Sequence, residues 1–304
     1  MDLKPTIVLL AGPTASGKSK LAIKLSKALN GEIVNADSMQ VYKELKILTS
    51  RPSPSDVKKI KHHLYGFISV KKNFSTGAWL NIATKKIKSI LEKKKVPILV
   101  GGTGLYFKAL IDGLVQIPDI PISLREKIRK YHKKIGQEKF YNELLKLDPK
   151  VKNFILESDK QRSIRAYEVK KFTKKSLYDW IKNTKPTFDP NLFKKFFIHP
   201  SKDFLLQQIN LRMNKMFKQG VKQEVKEFLK LKIRSDLSAN KVIGIQEIKD
   251  HLVEKLTLPE VKNLIQIRTR QYVKRQFTWA RGKMSSWKII NPKNYKVILD
   301  TIVK

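Results

Sequence analysis

The sequence predicts an α/β fold built on a parallel sheet, and three observations carry that reading. The apolar runs Ile7-Val8-Leu9-Leu10-Ala11 and Val96-Pro97-Ile98-Leu99-Val100 lack polar alternation, as strands buried on both faces do. Each leads through a glycine-bearing turn into apolar residues at helical spacing. From about Ile117 the chain turns helical, charged and free of strand signals until Phe196-Phe197-Ile198. With the turn Gly12-Pro13-Thr14-Ala15-Ser16-Gly17-Lys18-Ser19 after the first run, a G-x-x-x-x-G-K-[ST] match, the pattern is that of a P-loop NTPase-like parallel-sheet core with a helical insertion domain and C-terminal helices. It divides the 304 residues into a first part of the core (1–116), an insertion (117–195), and a return to the core plus C-terminal helices (196–304).

The first turn is Gly12-Pro13-Thr14-Ala15-Ser16-Gly17-Lys18-Ser19, a full G-x-x-x-x-G-K-[ST] match between a strand and a helix carrying Leu21, Ile23, Leu25 and Leu29. Such a loop holds phosphate. Its glycines permit the turn, its amides and helix N-terminus face the anion, Lys18 adds a point charge, and Ser19 can ligate Mg²⁺. Gly31 ends that helix, and Glu32-Ile33-Val34-Asn35 reads as a second strand running into Asp37. A residue just past a strand's carboxyl end lies where ligands bind, so Asp37 is placed for chemistry; by position it serves equally as a helix N-cap.

Leu48 to Ser55 is a Pro/Ser loop before a short basic helix. His62-His63 lack the accompanying ligands of a metal site. Thr76 can cap a helix to about Lys93. The Val96 strand ends in Gly101-Gly102-Thr103-Gly104, which allows close approach of backbone to a ligand, with Thr103 as helix cap or substrate donor. A P-loop ATPase commonly carries an Asp there for Mg²⁺; this strand has none.

In the insertion, the expected helix starts are a Ser123/Glu126 capping box, Asp159 or Ser158, and Ser176. Arg162 and Arg165 share a face. Ser201 opens a helix with Leu205, Ile209, Met213 and Met216 inside and Arg212 beside them, and Gly244 marks a close backbone approach. Thr257 and Glu260 box a long helix through about Trp279. One of its stripes holds Arg268, Tyr272, Arg275 and Trp279, the other Arg270, Lys274 and Arg281. Basic residues interleaved with aromatics suit RNA, and they equally suit a helix with its aromatics packed inward.

The net charge of +38, from 64 basic and 26 acidic residues, points to a polyanionic partner, although only eleven of the basic residues are Arg. Absence of cysteine excludes disulfides and cysteine-ligated zinc. No run approaches a membrane span and no signal-peptide pattern precedes Ile7, so a cytoplasmic protein is expected.

Taken together, Gly-Pro-Thr-Ala-Ser-Gly-Lys-Ser at 12 to 19, Asp37-Ser38 with Gln40 and Tyr42, Gly-Gly-Thr-Gly-Leu-Tyr-Phe at 101 to 107, Gln161-Arg162 with Arg165, Gly244 with Gln246-Glu247, and the run from Thr269 to Arg281 resemble the bacterial tRNA dimethylallyltransferases. The resemblance covers about residues 6 to 288. It implies transfer of a dimethylallyl group from its diphosphate to N6 of the adenosine 3′ to the anticodon, with tRNA anticodon stem-loop and dimethylallyl diphosphate as partners, Mg²⁺ as cofactor, and a monomer. It implies that Asp37 is the general base and that Thr103 lies near the reacting centre. Residues Gly12 to Ser19 and Arg212 would hold the diphosphate, with Mg²⁺ on Ser19. The implied tRNA contacts are Asp37, Ser38, Met39, Gln40, Thr103, Arg125, Gln161, Arg162, Ser163, Ile164, Arg165, Lys241, Val242, Ile243, Gly244, Ile245, Gln246, Arg270, Arg275 and Arg281. Where the family usually shows Gly-Thr-Ala-Lys-Pro, this chain has Leu48-Thr49-Ser50-Arg51-Pro52. The alternatives are a small-molecule P-loop kinase with Asp37 as base, and a non-catalytic RNA-binding NTPase.

Overall fold

The computed structural model describes residues 5–115, 117–182, 184–292 and 295–303. The chain forms two compact units, Met1–Ile111 with Thr187–Lys304, and Asp112–Pro186. Helical insertion thus begins and ends earlier than the 117–195 expected; Gln116, where the linker was expected to begin, lies outside the described residues.

The sheet of the first unit comprises β1 (Ile7–Ala11), β2 (Gly31–Asn35), β3 (His62–His63), β4 (Val96–Gly101), β5 (Phe193–Ile198) and β6 (Lys288–Ile290). Their order is β3-β2-β4-β1-β5-β6, all pairs parallel. Every residue of β1, β2 and β4 is buried, which is why these runs show no alternation. The register sets Ala11 beside Gly101 and Asn35 beside Val100. The segments that follow β1, β2 and β4 therefore leave the sheet from one edge.

The helices preceding the second unit are α1 (Lys18–Ala28), α2 (Pro54–Lys59), α3 (Thr76–Glu92) and α4 (Gly104–Asp112). That unit holds α5 (Ile122–Ile135), α6 (Gln137–Leu147), α7 (Lys160–Thr173) and α8 (Leu177–Lys182). The chain then returns through β5 to α9 (Lys202–Lys218), α10 (Val221–Lys230), α11 (Ile245–Leu252), α12 (Leu258–Lys283) and, after β6, α13 (Tyr295–Val303). One face of the sheet is covered by α1 and α13, whose Leu21, Leu25, Ile298 and Ile302 pack on Val8, Leu10, Ile33 and Ile98. At the carboxyl end of β2, Trp79 of α3 stacks on Tyr106 of α4 at 4.1 Å and donates its indole N–H to the Asn35 carbonyl at 2.9 Å.

Local expectations are met unevenly. Asp159, Ser201 and the Thr257/Glu260 box cap their helices as read. At α3 the cap is Ser75, not Thr76. The Ser123/Glu126 box does not form, because Pro121 starts α5 early enough to put Ser123 inside the first turn. β5 begins at Phe193, paired with Ile7, rather than at Phe196. The tail after Trp287, which carried no readable motif, supplies β6 and α13.

Candidate active site

β1 delivers the phosphate loop to the common edge of the sheet. Gly17 takes φ +82° and Ala15 φ +62°, so the left-handed turn uses one glycine and one alanine. Gly12 is required for a different reason. A Cβ there would lie 3.0 Å from Ile198 Cβ and from Ser16 Oγ. Among the described residues no side chain caps α1, which leaves its first-turn N–H groups open to a ligand. Ser16 Oγ is buried without a hydrogen-bond partner among the described residues, and Lys18 Nζ donates to the Pro13 carbonyl at 2.9 Å. Burial pushes the Lys18 ammonium down to about 8, against the opposing pull of the Asp37 charge.

Asp37 is gripped rather than free. Its N–H donates to Asn35 Oδ1, and its Oδ1 accepts the Met39 N–H, each at 2.9 Å. The second link is an Asx turn, not a helix cap. Oδ2 has no partner among the described residues, so one carboxylate oxygen is available for a proton. Thr103 Oγ1 accepts the Ser38 N–H at 2.9 Å and donates to Ser38 Oγ at 3.2 Å. Thr103 thus joins the turns after β2 and β4 instead of capping α4.

Arg212 reaches across from α9, donating to Thr14 Oγ1 at 2.6 Å and to the Leu48 carbonyl at 3.4 Å. Burial lowers its guanidinium from the usual value while the Asp37 charge resists. Asp37 also adds to burial in raising the Tyr65, Tyr106 and Tyr272 phenols well above their ordinary value. These hydroxyls remain protonated.

Two positioning groups lie beyond the implied site residues: Gln276, which the sequence offered only as part of the Thr269–Arg281 run, and Glu224, which carried no signal. Gln276 of α12 accepts the Thr14 N–H at 2.9 Å and donates to the Gly102 carbonyl at 3.0 Å, bridging two of the turns. Glu224 of α10 accepts the N–H groups of Lys46, Ile47 and Leu48 at 2.7–2.8 Å, fixing the loop beside the phosphate site. The glycines at the end of β4 and just past it are also demanded by close packing. A Cβ on Gly101 would strike the Ala36 carbonyl at 2.0 Å, on Gly102 the Gln276 amide at 2.3 Å, and on Gly104 the Trp279 indole at 2.0 Å.

A cleft of about 1200 Å³ gathers Thr14 to Ser19, Asp37, Met39, Gln40, Arg212, Lys241 to Ile243, Tyr272 and Arg275. Gly244, with φ +106°, is the N-cap residue just before α11, and a Cβ on it would meet Leu48 Cδ1 at 2.6 Å. Ile245 is buried there, while Gln246 is exposed and bonded to Asp250. The long helix resolves the choice between its two readings residue by residue. Trp279 packs inward on Gly104, Arg268 pairs with buried Glu247 at 2.7 Å, and Arg275 lies over the Tyr272 ring at 5.6 Å. Arg270 and Arg281 lie outside the cleft, along a second groove.

In the second unit, buried Glu168 of α7 collects Arg165 at 3.4 Å and Arg125 and Arg129 of α5 at 3.6 Å each. One carboxylate holds three guanidinium groups, so the cluster stays cationic. Gln161 and Arg162 are exposed on the first turn of α7, Arg162 pairing with Asp159 at 2.6 Å. Ser163 is buried, donating to the Asp159 carbonyl at 2.8 Å, and Ile164 is half-buried.

The sequence model of the IPP transferase family matches residues 40–283. The chain belongs to that family. A tRNA dimethylallyltransferase of Pelagibacter ubique is 56% identical over 292 residues, 96% of this chain and 93% of the relative. One from Rickettsia massiliae is 43% identical over 98% of this chain and 83% of its own length. Among solved structures, the full-length tRNA isopentenylpyrophosphate transferase of Bacillus halodurans is 30% identical with a TM-score of 0.70, covering 99% of this chain and 96% of that one. A eukaryotic dimethylallyltransferase captured acting on tRNA is 26% identical with a TM-score of 0.82, covering 95% and 74%. Membership of a transferase family weighs against the kinase and the non-catalytic NTPase. No helix among the described residues is long and apolar enough to cross a membrane.

Proposed function

We propose that the protein transfers a dimethylallyl group from dimethylallyl diphosphate to N6 of the adenosine 3′ to the anticodon of tRNA, with release of diphosphate. The observation that carries this reading at the level of residues is the convergence of Asp37, Lys18, Arg212 and the phosphate loop on one cleft. The exocyclic amine attacks the allylic carbon, the carbon–oxygen bond to diphosphate breaks, and the amine proton passes to the unpaired oxygen of Asp37. A base so placed typically contributes about 10² to 10⁴-fold. Lys18, Arg212 and the amides from Thr14 to Ser19 receive the charge that accumulates on the departing diphosphate. Tyr65 and Tyr272, held neutral, can donate hydrogen bonds in the same cleft.

Magnesium fits this donor set. Ser19 offers a hard oxygen at the start of α1 and lines the cleft. Mg²⁺ commonly keeps several waters and binds through few protein ligands plus substrate phosphates. When bound it would supply countercharge to the diphosphate. The tRNA is assigned to the arginines of the second unit, to Ser38 to Gln40, and to the Lys241–Gln246 loop, with the target adenosine leaving its stack to reach the cleft. A monomer acting in the cytoplasm, where its substrate resides, completes the reading.

The test is incubation of the protein with an anticodon stem-loop RNA, radiolabelled dimethylallyl diphosphate and Mg²⁺, for wild type and Asp37→Ala. Label in RNA with wild type and a loss of at least about 10²-fold in the variant is expected. ATP hydrolysis without label in RNA would overturn the function; full activity of Asp37→Ala would overturn the base.

A further inference from the structure

We infer that the chain beyond Trp287 is a positioning element of the diphosphate site, in which Pro292 and α13 hold the phosphate loop and α1 in the conformation that receives the anion. This inference deepens the proposed function and rests on the phosphate loop being where the diphosphate binds. The matched family model ends at residue 283, so β6 and α13 lie outside it.

The need for such support comes from the loop itself. Ala15 sits at φ +62°, and a left-handed alanine persists only where its surroundings over-determine it. One set of supports comes from α9 and α12: Thr14 bonds to Gln276 and Arg212, and Ala15 packs against Leu205, Ile209 and Val273. A second set comes from β5 and the tail. A Cβ on Gly12 would lie 3.0 Å from Ile198 Cβ, and one on Gly17 would lie 3.7 Å from Pro292 Cβ. These two neighbours belong to adjoining strands. Ile198 pairs with Ile290 in the β5–β6 ladder, and the His199 N–H donates to the Ile290 carbonyl at 2.9 Å.

From there α13 extends the second support along α1. Ile298 and Ile302 are buried in one cluster with Leu21, Ala22 and Leu25 of α1 and Ile290 of β6. The tail is pinned in turn: Trp287 meets the Phe107 ring of α4 edge-on at 5.4 Å, and Lys288 Nζ donates to Thr301 Oγ1 of α13 at 2.7 Å. A helix N-terminus binds an anion tightly when its first turn is fixed beforehand, because any ordering left to the ligand weakens the affinity. The two supports differ in what else they touch. Helices α9 and α12 also line the cleft with Arg212, Tyr272 and Arg275, whereas no described residue from Trp287 onward lines it. Loss of the tail contacts therefore acts on the anion site and spares the RNA.

The experiment measures binding of inorganic diphosphate, with Mg²⁺, to the full chain by titration calorimetry, for wild type, Pro292→Gly, Pro292→Ala, Ile298→Ala and Ile87→Ala. Pro292→Gly and Ile298→Ala are expected to weaken diphosphate binding about fivefold to tenfold and to raise the KM for dimethylallyl diphosphate by a similar factor, with kcat and stem-loop RNA affinity within about twofold. Pro292→Ala keeps the Cβ that faces Gly17 and should stay near wild type. Ile87→Ala empties an equally buried position on α3; it should lower the Tm as Ile298→Ala does and leave diphosphate affinity unchanged. Wild-type diphosphate affinity in both Pro292→Gly and Ile298→Ala would overturn the inference. An equal loss in Ile87→Ala would also overturn it, by reducing the effect to global stability, as would RNA affinity that falls in step with diphosphate affinity. Tail-dependent diphosphate binding by a protein whose wild type transfers no label would sink the proposed reaction and leave the tail's role standing.

Discussion

Lys18 illustrates how burial gives a residue its role. Its ammonium sits close enough to pH 8 that the free protein holds it protonated below that value and largely neutral at pH 9. A bound diphosphate favours the charged form and raises the value again, so binding above pH 8 must take up a proton. Affinity should fall as pH rises through 8. Titration calorimetry of dimethylallyl diphosphate at pH 9, in buffers of different ionisation enthalpy, should show uptake approaching one proton, and none with Lys18→Arg, which stays charged. Equal uptake by both would refute the assignment. Glu224 acts by geometry instead. A carboxylate that accepts three consecutive amides locks the Lys46–Leu48 loop, and Arg212 reads the Leu48 carbonyl of that loop.

At the scale of elements, α12 is the part that assembles the site. Its Gln276 ties the phosphate loop to the turn after β4, and its Trp279 fills the space left by Gly104. Gln276→Ala leaves the Thr14 N–H and the Gly102 carbonyl unpaired in a partly buried setting, a cost of about 1–3 kcal/mol. Thermal denaturation should show a lowered Tm that dimethylallyl diphosphate partly restores, because the ligand supplies an anion to the Thr14 amide. An unchanged Tm would place the bridge outside the stability of the site. Gly104→Ala drives a Cβ into the Trp279 indole and should be more damaging than the same change at Gly136, where nothing lies within 4 Å, although Gly136 itself carries a positive φ.

For the whole molecule, the charge of +38 has a definite consequence only where cations are held in place. Three arginines gathered by Glu168 form such a place; lysines scattered over helix faces do not. Stem-loop binding should weaken steeply with salt, and Arg165→Ala should reduce the slope of log affinity against log salt by about one. Removal of a lysine outside that cluster, such as Lys85 of α3, should leave the slope nearly unchanged; equal effects would show that the total charge, not the cluster, governs binding. Legibility in the sequence followed the range of the forces involved. The strand runs, the phosphate loop, Asp37 at a strand end and most helix caps are local, and the chain by itself determined them through hydrophobic period, glycine and capping chemistry. Short β3 and β6, the early start of β5, the bridging role of Gln276, the Glu224 clamp and the inward turn of Trp279 depend on partners dozens to hundreds of residues away. Those only the tertiary structure decided, because a hydrogen bond or a steric demand between distant segments leaves no pattern along the chain until packing brings them together.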